Sequence, residues 1–357
     1  MNRFRFYNPT NITIKRNISK HHFQGAAMQD IIIQNNQTFI SNKDNLRIFY
    51  DVYMPSHSLE SPIVVQIAHG MVEHKGRYEW VGTHLAKAGY VVVINDHRAH
   101  GKSIDSTCAW GDIGKSTQSK STQETQGKQS GMHYAIDDMH QLTLITKERF
   151  KPSKYVLLGH SMGSLLSRGY IKAYLYELDA LILSGSPAYN PLVGLGKALA
   201  QILYKCKLHT WGKHFINSLS FGRFNKPFLH NKDEDCAKGG FAWLCRDKDV
   251  IAAYRADNAC SFVFSLQSFI ALFELMQEVH ITHNLKGEHF PILIISGNCD
   301  SCGDFGRGVE KIAKQYQKSG FDVELKLYGG ARHEILNEIN KKQVLTDIIG
   351  FIQKTLS

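Results

Sequence analysis

The sequence predicts an α/β protein with a doubly wound, mostly parallel sheet and one helical insertion. Short apolar runs with the length of strands alternate with segments of helical periodicity, a pattern typical of a parallel sheet covered by helices. The chain has 357 residues, of which 43% are hydrophobic, so it can bury a large core. The alternation stops between Pro187 and Phe290 and then resumes, so we expect an insertion there.

The apolar runs predict the elements in order. A first strand is expected soon after Met28, and seven more are expected near residues 47–53, 62–68, 90–95, 154–158, 180–184, 291–296 and 323–328. We assign residues 30–186 and 291–357 to the α/β core and residues 187–290 to the insertion. The Ser-, Thr-, Gln- and Lys-rich stretch 116–130 is expected to be a flexible surface loop.

The strongest functional motif follows the strand that begins near Tyr155. There the sequence Gly159-His-Ser161-Met-Gly163 leads from an apolar strand into a helical pattern, which is the arrangement of a nucleophile elbow. Glycines two residues either side of the serine let neighbouring backbone pass close to it. The following helix directs its N-terminus at the site and favours a developing oxyanion. We therefore take Ser161 as the candidate nucleophile.

A serine nucleophile needs a base and an acid that orients the base. Asp300 follows the strand at 291–296, and His333 follows the strand at 323–328. Because the carboxyl ends of parallel strands lie at one edge of a sheet, these side chains are expected to meet Ser161. His333 would accept the serine proton and Asp300 would fix its tautomer. Asp304, in the same loop, is the alternative acid, but it lies farther from the strand.

Three further stretches carry a family resemblance. They are His69-Gly70-Met71-Val-Glu73-His74-Lys-Gly-Arg77-Tyr78, Asp96-His-Arg98-Ala-His100-Gly101-Lys-Ser103, and Tyr328-Gly-Gly-Ala-Arg-His333-Glu-Ile-Leu-Asn337-Glu338. With the elbow, they resemble the monoacylglycerol lipase and lysophospholipase branch of the α/β-hydrolase fold, sometimes grouped with serine aminopeptidases, over residues 28–355. The resemblance implies an α/β-hydrolase fold whose insertion forms a helical cap over the strand ends.

The resemblance also implies an oxyanion hole made by the backbone amides of Met71 and Met162. In one respect the chain departs from the family, which often has an apolar residue or proline just after the acid. Here the acid lies within Cys299-Asp300-Ser301-Cys302. Asp96 also ends a strand, but it precedes the serine, and its expected role is to brace the loop that follows.

Two groups of residues are open to more than one interpretation. Glu73 and Arg77 are four residues apart, so they either form a surface ion pair on a helix or lie where the resemblance implies contact with the polar end of the substrate. Leu192, Leu195, Leu199 and Ile202 have helical spacing, and they either line an acyl-binding wall beside the serine or pack on the core. The later run from Ser261 to Met276 is too short to span a bilayer and predicts a buried or cap helix.

The candidate catalytic residues predict a serine esterase, and the family resemblance implies a small lipid ester with one acyl chain, a monoacylglycerol or a lysophospholipid, as its substrate. The alternatives are a peptidase or amidase with the same catalytic residues, and a non-catalytic binding protein on a hydrolase scaffold. A nucleotide-binding loop at Asp96 to Ser103 is disfavoured, because a carboxylate stands where that loop needs a glycine. No nucleic-acid partner, metal or cofactor is expected, and Cys299 and Cys302 lack the further ligands of a zinc site.

The N-terminus differs in charge from the rest of the chain. Residues 1–29 contain five basic residues, Arg3, Arg5, Lys15, Arg16 and Lys20, and no acid, and they contribute half of the formal net charge of +10. We expect a basic arm that is disordered or not native, with Met28 as the natural start; the alternatives are an organellar transit peptide and an arm that touches a membrane. The arm lacks the apolar run of a signal peptide, and the seven cysteines are odd in number. A cytoplasmic protein with weak attraction to anionic membrane surfaces is therefore expected.

Overall fold

The computed structural model describes residues 30–57, 59–113, 130–229 and 240–356, together with the backbone of residues 12–14. Most of the basic arm at 1–29 therefore lies outside the described residues. The same holds for the polar stretch at 116–130, apart from Ser130.

Nine strands of the described residues form one sheet. They are β1 (Ile12–Ile14), β2 (Ile31–Ile40), β3 (Arg47–Pro55), β4 (Ile63–Ala68), β5 (Val91–Asn95), β6 (Lys154–His160), β7 (Ala180–Ser184), β8 (Pro291–Gly297) and β9 (Asp322–Tyr328), in the order β1-β2-β3-β5-β4-β6-β7-β8-β9. Strands β1, β2 and β3 pair antiparallel at one edge, and β3 also pairs antiparallel with β5. Strands β4 to β9 run parallel to one another. The predicted fold class is confirmed, as are the predicted strands.

The helices of the described residues lie between these strands. They are α1 (Glu79–Lys87), α2 (Gly131–Phe150), α3 (Met162–Tyr174), α4 (Val193–Lys205), α5 (His209–Phe221), α6 (Lys248–Ala256), α7 (Leu266–His280), α8 (Arg307–Lys318) and α9 (Lys341–Leu356). Short 3₁₀ turns occur at Lys75–Tyr78, Leu175–Glu177, Lys226–Phe228 and Asn258–Cys260.

The sheet is buried on both faces, which explains why its strands read as continuous apolar runs. Alternate residues of a strand enter different cores, as Val64 and Val65 of β4 do. One core packs the sheet against α2, α3 and α8, and the other packs it against α1 and α9. The parallel strands thus share one edge at their carboxyl ends, and the loops that leave this edge carry the candidate site.

Residues 187–290, which we call the cap, contain α4 to α7 and, among their described residues, no strand. Helix α7 confirms the helix predicted from the run that starts at Ser261, but it begins at Leu266. The side chain of Ser265 accepts a hydrogen bond from the Ser268 amide and thereby caps the N-terminus of the helix. Helix α4 packs along α7, and α5 packs against both.

The apolar stripe predicted on α4 does not face the core. Leu195 is 69% exposed, and Leu192 and Ile202 are also exposed. The buried face is instead formed by Val193, Ala200 and Leu203. Core packing is therefore the wrong interpretation for three of the four stripe residues, and their exposure also argues against a closed acyl-binding wall. The helix is apolar on both faces, so its periodicity alone does not determine which face is buried. Leu199 is partly buried and remains a predicted acyl contact.

Candidate active site

Ser161 occupies a sharp turn between β6 and α3. Its backbone has φ 52° and ψ −115°, a conformation that residues other than glycine rarely adopt. The end of β4 passes so close to this turn that position 163 requires glycine. An added Cβ there would lie 2.0 Å from the carbonyl oxygen of Ala68. Strand β6 and helix α3 thus hold the serine in a strained, fixed position, as a nucleophile elbow does.

The structure brings Ser161, His333 and Asp300 into one hydrogen-bonded chain. Nε2 of His333 lies 2.8 Å from Oγ of Ser161. Nδ1 of His333 lies 3.0 and 3.1 Å from the two carboxylate oxygens of Asp300. Asp300 follows β8 and His333 follows β9, so the sheet edge brings together residues far apart in sequence. Asp304 points elsewhere, to an exposed ion pair with Arg307 at 2.8 Å.

The charges and hydrogen bonds around the site favour an ionised Asp300 carboxylate and a His333 imidazole with a raised pKa. Burial acts to raise the pKa of Asp300, but His333 and the amides of Cys302 and Gly303 outweigh it and lower that pKa below its ordinary 3.8. Burial acts to lower the pKa of His333, but the charge and hydrogen bond of Asp300 raise it above the ordinary 6.5. Asp300 is fully buried, so its charge acts on the imidazole with little screening by water.

Two backbone amides beside Ser161 are free to bind a ligand. The loop after β4 approaches so closely that a Cβ on Gly70 would lie 3.2 Å from Cβ of Ser161. The Gly70 amide itself donates to Oε1 of Glu73. Among the described residues, the amides of Met71 and Met162 donate to no protein acceptor. Met162 is the first residue of α3, where amide groups lack partners inside the helix.

Glu73 and Arg77 belong to a buried ionic network. Nη1 of Arg77 donates to Glu73 at 2.6 Å, and its two terminal nitrogens donate to both oxygens of Glu334 at 2.7 and 2.6 Å. Glu73 is only 2% exposed, so the interpretation as a surface ion pair is wrong. The network joins the loop that carries Met71 to the loop that carries His333. Glu334 was not predicted from the sequence, where its one signal is its position next to His333.

Two other neighbours of His333 were not predicted from the sequence. His160 is buried, and its ring centroid lies 5.0 Å from that of His333. Burial, reinforced by the charge of His333, lowers the pKa of His160 to about 3, so it stays neutral beside the charged form of His333. Trp243 of the cap lies 4.9 Å from the His333 ring, and its carbonyl accepts from the His333 amide at 3.3 Å. The signal for His160 was its place inside the elbow motif.

Asp96 has the bracing role that its position predicted. Its two carboxylate oxygens accept from the amides of Lys75 and Lys102, both at 2.9 Å. A Cβ on Gly101 would overlap the Asp96 carboxylate, so the loop after β5 closes tightly around it. The carboxylate thus fixes two loops at the same edge of the sheet as the site.

Within the described part of the chain, one cluster of side chains has the spacing of metal ligands. His74, Asp257 and Cys260 offer atoms that all lie within 4.8 Å of one another. However, Nδ1 of His74 accepts from the Gly76 amide, which leaves the proton on Nε2, where it donates to Asp257 at 2.8 Å. The arrangement therefore fits a hydrogen-bonded link between cap and core. The six cysteines of the described residues are free.

A strained serine after a parallel strand, with a histidine and an acid after later strands, defines an α/β-hydrolase fold. A family model described as serine aminopeptidase, S33, matches residues 60–340, and the chain belongs to this family. Within the family, the chain falls in the monoacylglycerol lipase and lysophospholipase branch, as its relatives indicate. The resemblance seen in the sequence is thereby confirmed.

The relatives are similar over nearly their full length. The chain is 28% identical over 310 residues to a monoacylglycerol lipase of Mycolicibacterium smegmatis, covering 86% of this chain and 93% of that protein. It is 21% identical to a probable lysophospholipase L2 of Haemophilus influenzae, covering 93% and 96%. A thermostable carboxyl esterase from Bacillus coagulans, solved in complex with glycerol, has a TM-score of 0.73 at 25% identity, covering 91% of this chain and 99% of that one.

Proposed function

We propose that this protein is a serine hydrolase that cleaves single-chain acyl esters, a monoacylglycerol or a lysophospholipid, through an acyl-enzyme intermediate. The observation that carries the proposal is the hydrogen-bonded chain from Ser161 through His333 to Asp300, beside two unused amides. The names of the relatives, lipase, lysophospholipase and esterase, support an ester as the substrate.

Each group of the site has a step to perform. Oγ of Ser161 attacks the ester carbonyl while Nε2 of His333 takes its proton, and Asp300 stabilises the resulting imidazolium. The amides of Met71 and Met162 stabilise the oxyanion of the tetrahedral intermediate. His333 then protonates the leaving alcohol, and the ester bond breaks to give the acyl-enzyme. A water molecule activated by His333 releases the fatty acid by the same steps in reverse order.

The ionic network favours an ester over a peptide with a free amino terminus. An aminopeptidase must anchor the charged amino group of its substrate, and an unpaired carboxylate near the serine would serve that purpose. Glu73 and Glu334, the acids of this network, both bind Arg77 already. This geometry therefore supports an esterase over an aminopeptidase.

The decisive test is replacement of the nucleophile. Ser161→Ala should lower kcat for a p-nitrophenyl ester by on the order of 10⁶-fold and abolish labelling by a fluorophosphonate. Ser153→Ala is the matched control, because this serine lies just before β6 at the opposite end of the strand. Wild-type turnover in Ser161→Ala would refute the assignment. A wild type that neither turns over esters nor reacts with the probe would favour the non-catalytic alternative, and turnover of aminoacyl p-nitroanilides in place of esters would favour the peptidase.

We also propose that the cap makes peripheral contact with an anionic membrane surface. Helix α5 exposes Trp211, Phe215 and Leu219 along one face, and α4 exposes Leu195 and Ile202. Residues 180–232 contain no aspartate or glutamate, while Lys205, Lys207 and Lys213 flank the exposed apolar residues. Apolar side chains beside basic ones suit the interface of an anionic bilayer. Among the helices of the described residues, none combines the length and apolar composition needed to cross a bilayer.

A further inference from the structure

The loop that carries the free Met71 amide contains a strained residue. Val72, the next residue, has a φ of 57°. Branched side chains avoid this left-handed region because their Cβ substituents crowd the backbone. The Gly70 amide donates to the Glu73 side chain, and this hydrogen bond links the two ends of the turn that contains Met71 and Val72. A strained conformation of this kind persists only where surrounding contacts hold it.

One such contact comes from the cap. The hydroxyl of Tyr254, on α6, donates to the carbonyl oxygen of Val72 at 3.0 Å. Within the described part of the chain, no other group donates to this carbonyl. Tyr254 is only 8% exposed. Burial, with the nearby Cys260 and Glu334, raises the pKa of Tyr254 well above its ordinary 10, so the hydroxyl remains a donor.

Other contacts fix the direction of the Tyr254 hydroxyl. The guanidinium carbon of Arg77 lies 4.7 Å from the centroid of the Tyr254 ring. Three residues beyond Tyr254, Asp257 binds His74 of the same core loop at 2.8 Å. These contacts do not involve the hydroxyl, so they survive its removal. The hydrogen bond to Val72 is thus a separable part of the interface between cap and core.

We infer that Tyr254 is a positioning residue for the oxyanion hole, because its hydroxyl holds the strained turn at Val72 and thereby keeps the Met71 amide directed at the reacting carbonyl. The inference rests on the proposed function, which assigns that amide to the oxyanion. It makes the cap part of the catalytic apparatus as well as a cover. Without the hydroxyl, Val72 is free to relax to a negative φ, and the neighbouring Met71 amide turns away from Ser161.

The test begins with Tyr254→Phe, which removes one oxygen atom and keeps the ring against Arg77. Loss of an oxyanion donor costs about 10²- to 10³-fold in kcat, and a displaced donor should cost less. We expect a fall of about 10- to 100-fold in kcat for a p-nitrophenyl ester, with KM changed less than about threefold. Tyr204→Phe is the matched control, since among the described residues its hydroxyl bonds within the cap alone, where it accepts from Nε2 of Gln267 at 2.9 Å.

The second variant tests the mechanism of the loss. Glycine adopts positive φ without steric cost, so Val72→Gly in the Tyr254→Phe background should hold the turn unaided and restore most of kcat. A general collapse of the cap would not be repaired by that change. Unchanged kcat in Tyr254→Phe, or no recovery in the double variant, would overturn the inference. Neither result touches the proposed function, which fails only if Ser161→Ala retains turnover or the wild type has none.

Discussion

Among single residues, the choice between two neighbouring carboxylates is the sharpest test of the site. Asp300→Asn keeps the shape of the acid but favours the wrong tautomer of His333, so kcat should fall by on the order of 10⁴-fold. Asp304→Asn should leave kcat within about twofold, because Asp304 binds Arg307 at the surface. Steady-state kinetics on a soluble ester measure both. Equal losses in the two variants would contradict the assignment of the acid.

The titration of His333 gives a second prediction for a single residue. Catalysis requires the neutral imidazole, and Asp300 raises the pKa of His333 above 6.5 despite burial. The rate constant kcat/KM should therefore rise with pH along a limb whose midpoint lies above 6.5. In Asp300→Asn the burial remains while the negative charge is lost, so the midpoint should move to lower pH. A pH profile of the residual activity that keeps the wild-type midpoint would show that another group controls the limb.

Between elements, the packing of α3 against β4 makes a prediction about stability. A Cβ at Gly163 would overlap the Ala68 carbonyl, which is backbone and has no room to move. Gly163→Ala should therefore lower the free energy of unfolding by roughly 3 kcal/mol. Gly350→Ala, in α9, is the matched control, because its Cβ would meet nothing within 4 Å. That change should stabilise the protein by about 0.5–1 kcal/mol. Urea denaturation of both variants gives the comparison, and similar values would contradict it.

The link between α3 and α7 is also visible at this scale. Arg168 and Lys172, one turn apart on α3, donate to carbonyl oxygens at the end of α7, namely those of Val279, Glu278 and Ile281. Carbonyl groups at a helix C-terminus lack the usual partner four residues on, and here the Glu278 carbonyl also accepts from the Ile281 amide at 3.2 Å. Positive charge at a helix C-terminus is also favourable. The cap helix is thereby anchored to the same helix whose N-terminus holds the candidate nucleophile.

At the scale of the whole molecule, the proposed contact of the cap with a membrane makes a prediction from charge and exposed apolar surface. Trp211→Ala combined with Leu219→Ala should reduce partitioning onto vesicles of anionic lipid by at least about tenfold, because each large apolar side chain contributes about 1.5–3 kcal/mol on burial. Leu144→Ala, an exposed leucine on α2, is the matched control. Salt at about 500 mM should weaken binding relative to about 50 mM. Cosedimentation measures both effects, and binding that responds to neither change would rule out this surface.

Turnover of a soluble ester should not follow the same pattern. These apolar side chains are exposed on α4 and α5, whereas Asp300 and His333 are buried and Ser161 is half-buried. The double variant should therefore keep its kcat on a short-chain ester while it loses vesicle binding. An equal loss of both would place these side chains in the site itself.

The sequence by itself determined the fold class, the parallel strands and the candidates Ser161, Asp300 and His333. Each of these depends on a local signal. A buried parallel strand is a continuous apolar run, and a residue just after such a strand lies at the common edge of the sheet. The elbow motif is likewise contained in five consecutive residues. Where the signal is local, the sequence is enough to place the residue.

Tertiary structure alone decided the contacts between distant segments. The pairing of Arg77 with Glu334 joins residues 257 positions apart, and the bond from Tyr254 to Val72 joins residues 182 apart. Neither pair leaves a periodic pattern in the chain. The exposed stripe of α4 illustrates the same limit, because an apolar helix buries whichever face its neighbour covers. Such contacts depend on how the loops and the cap pack together at the edge of the sheet. The secondary-structure propensity of a short segment does not predict that packing.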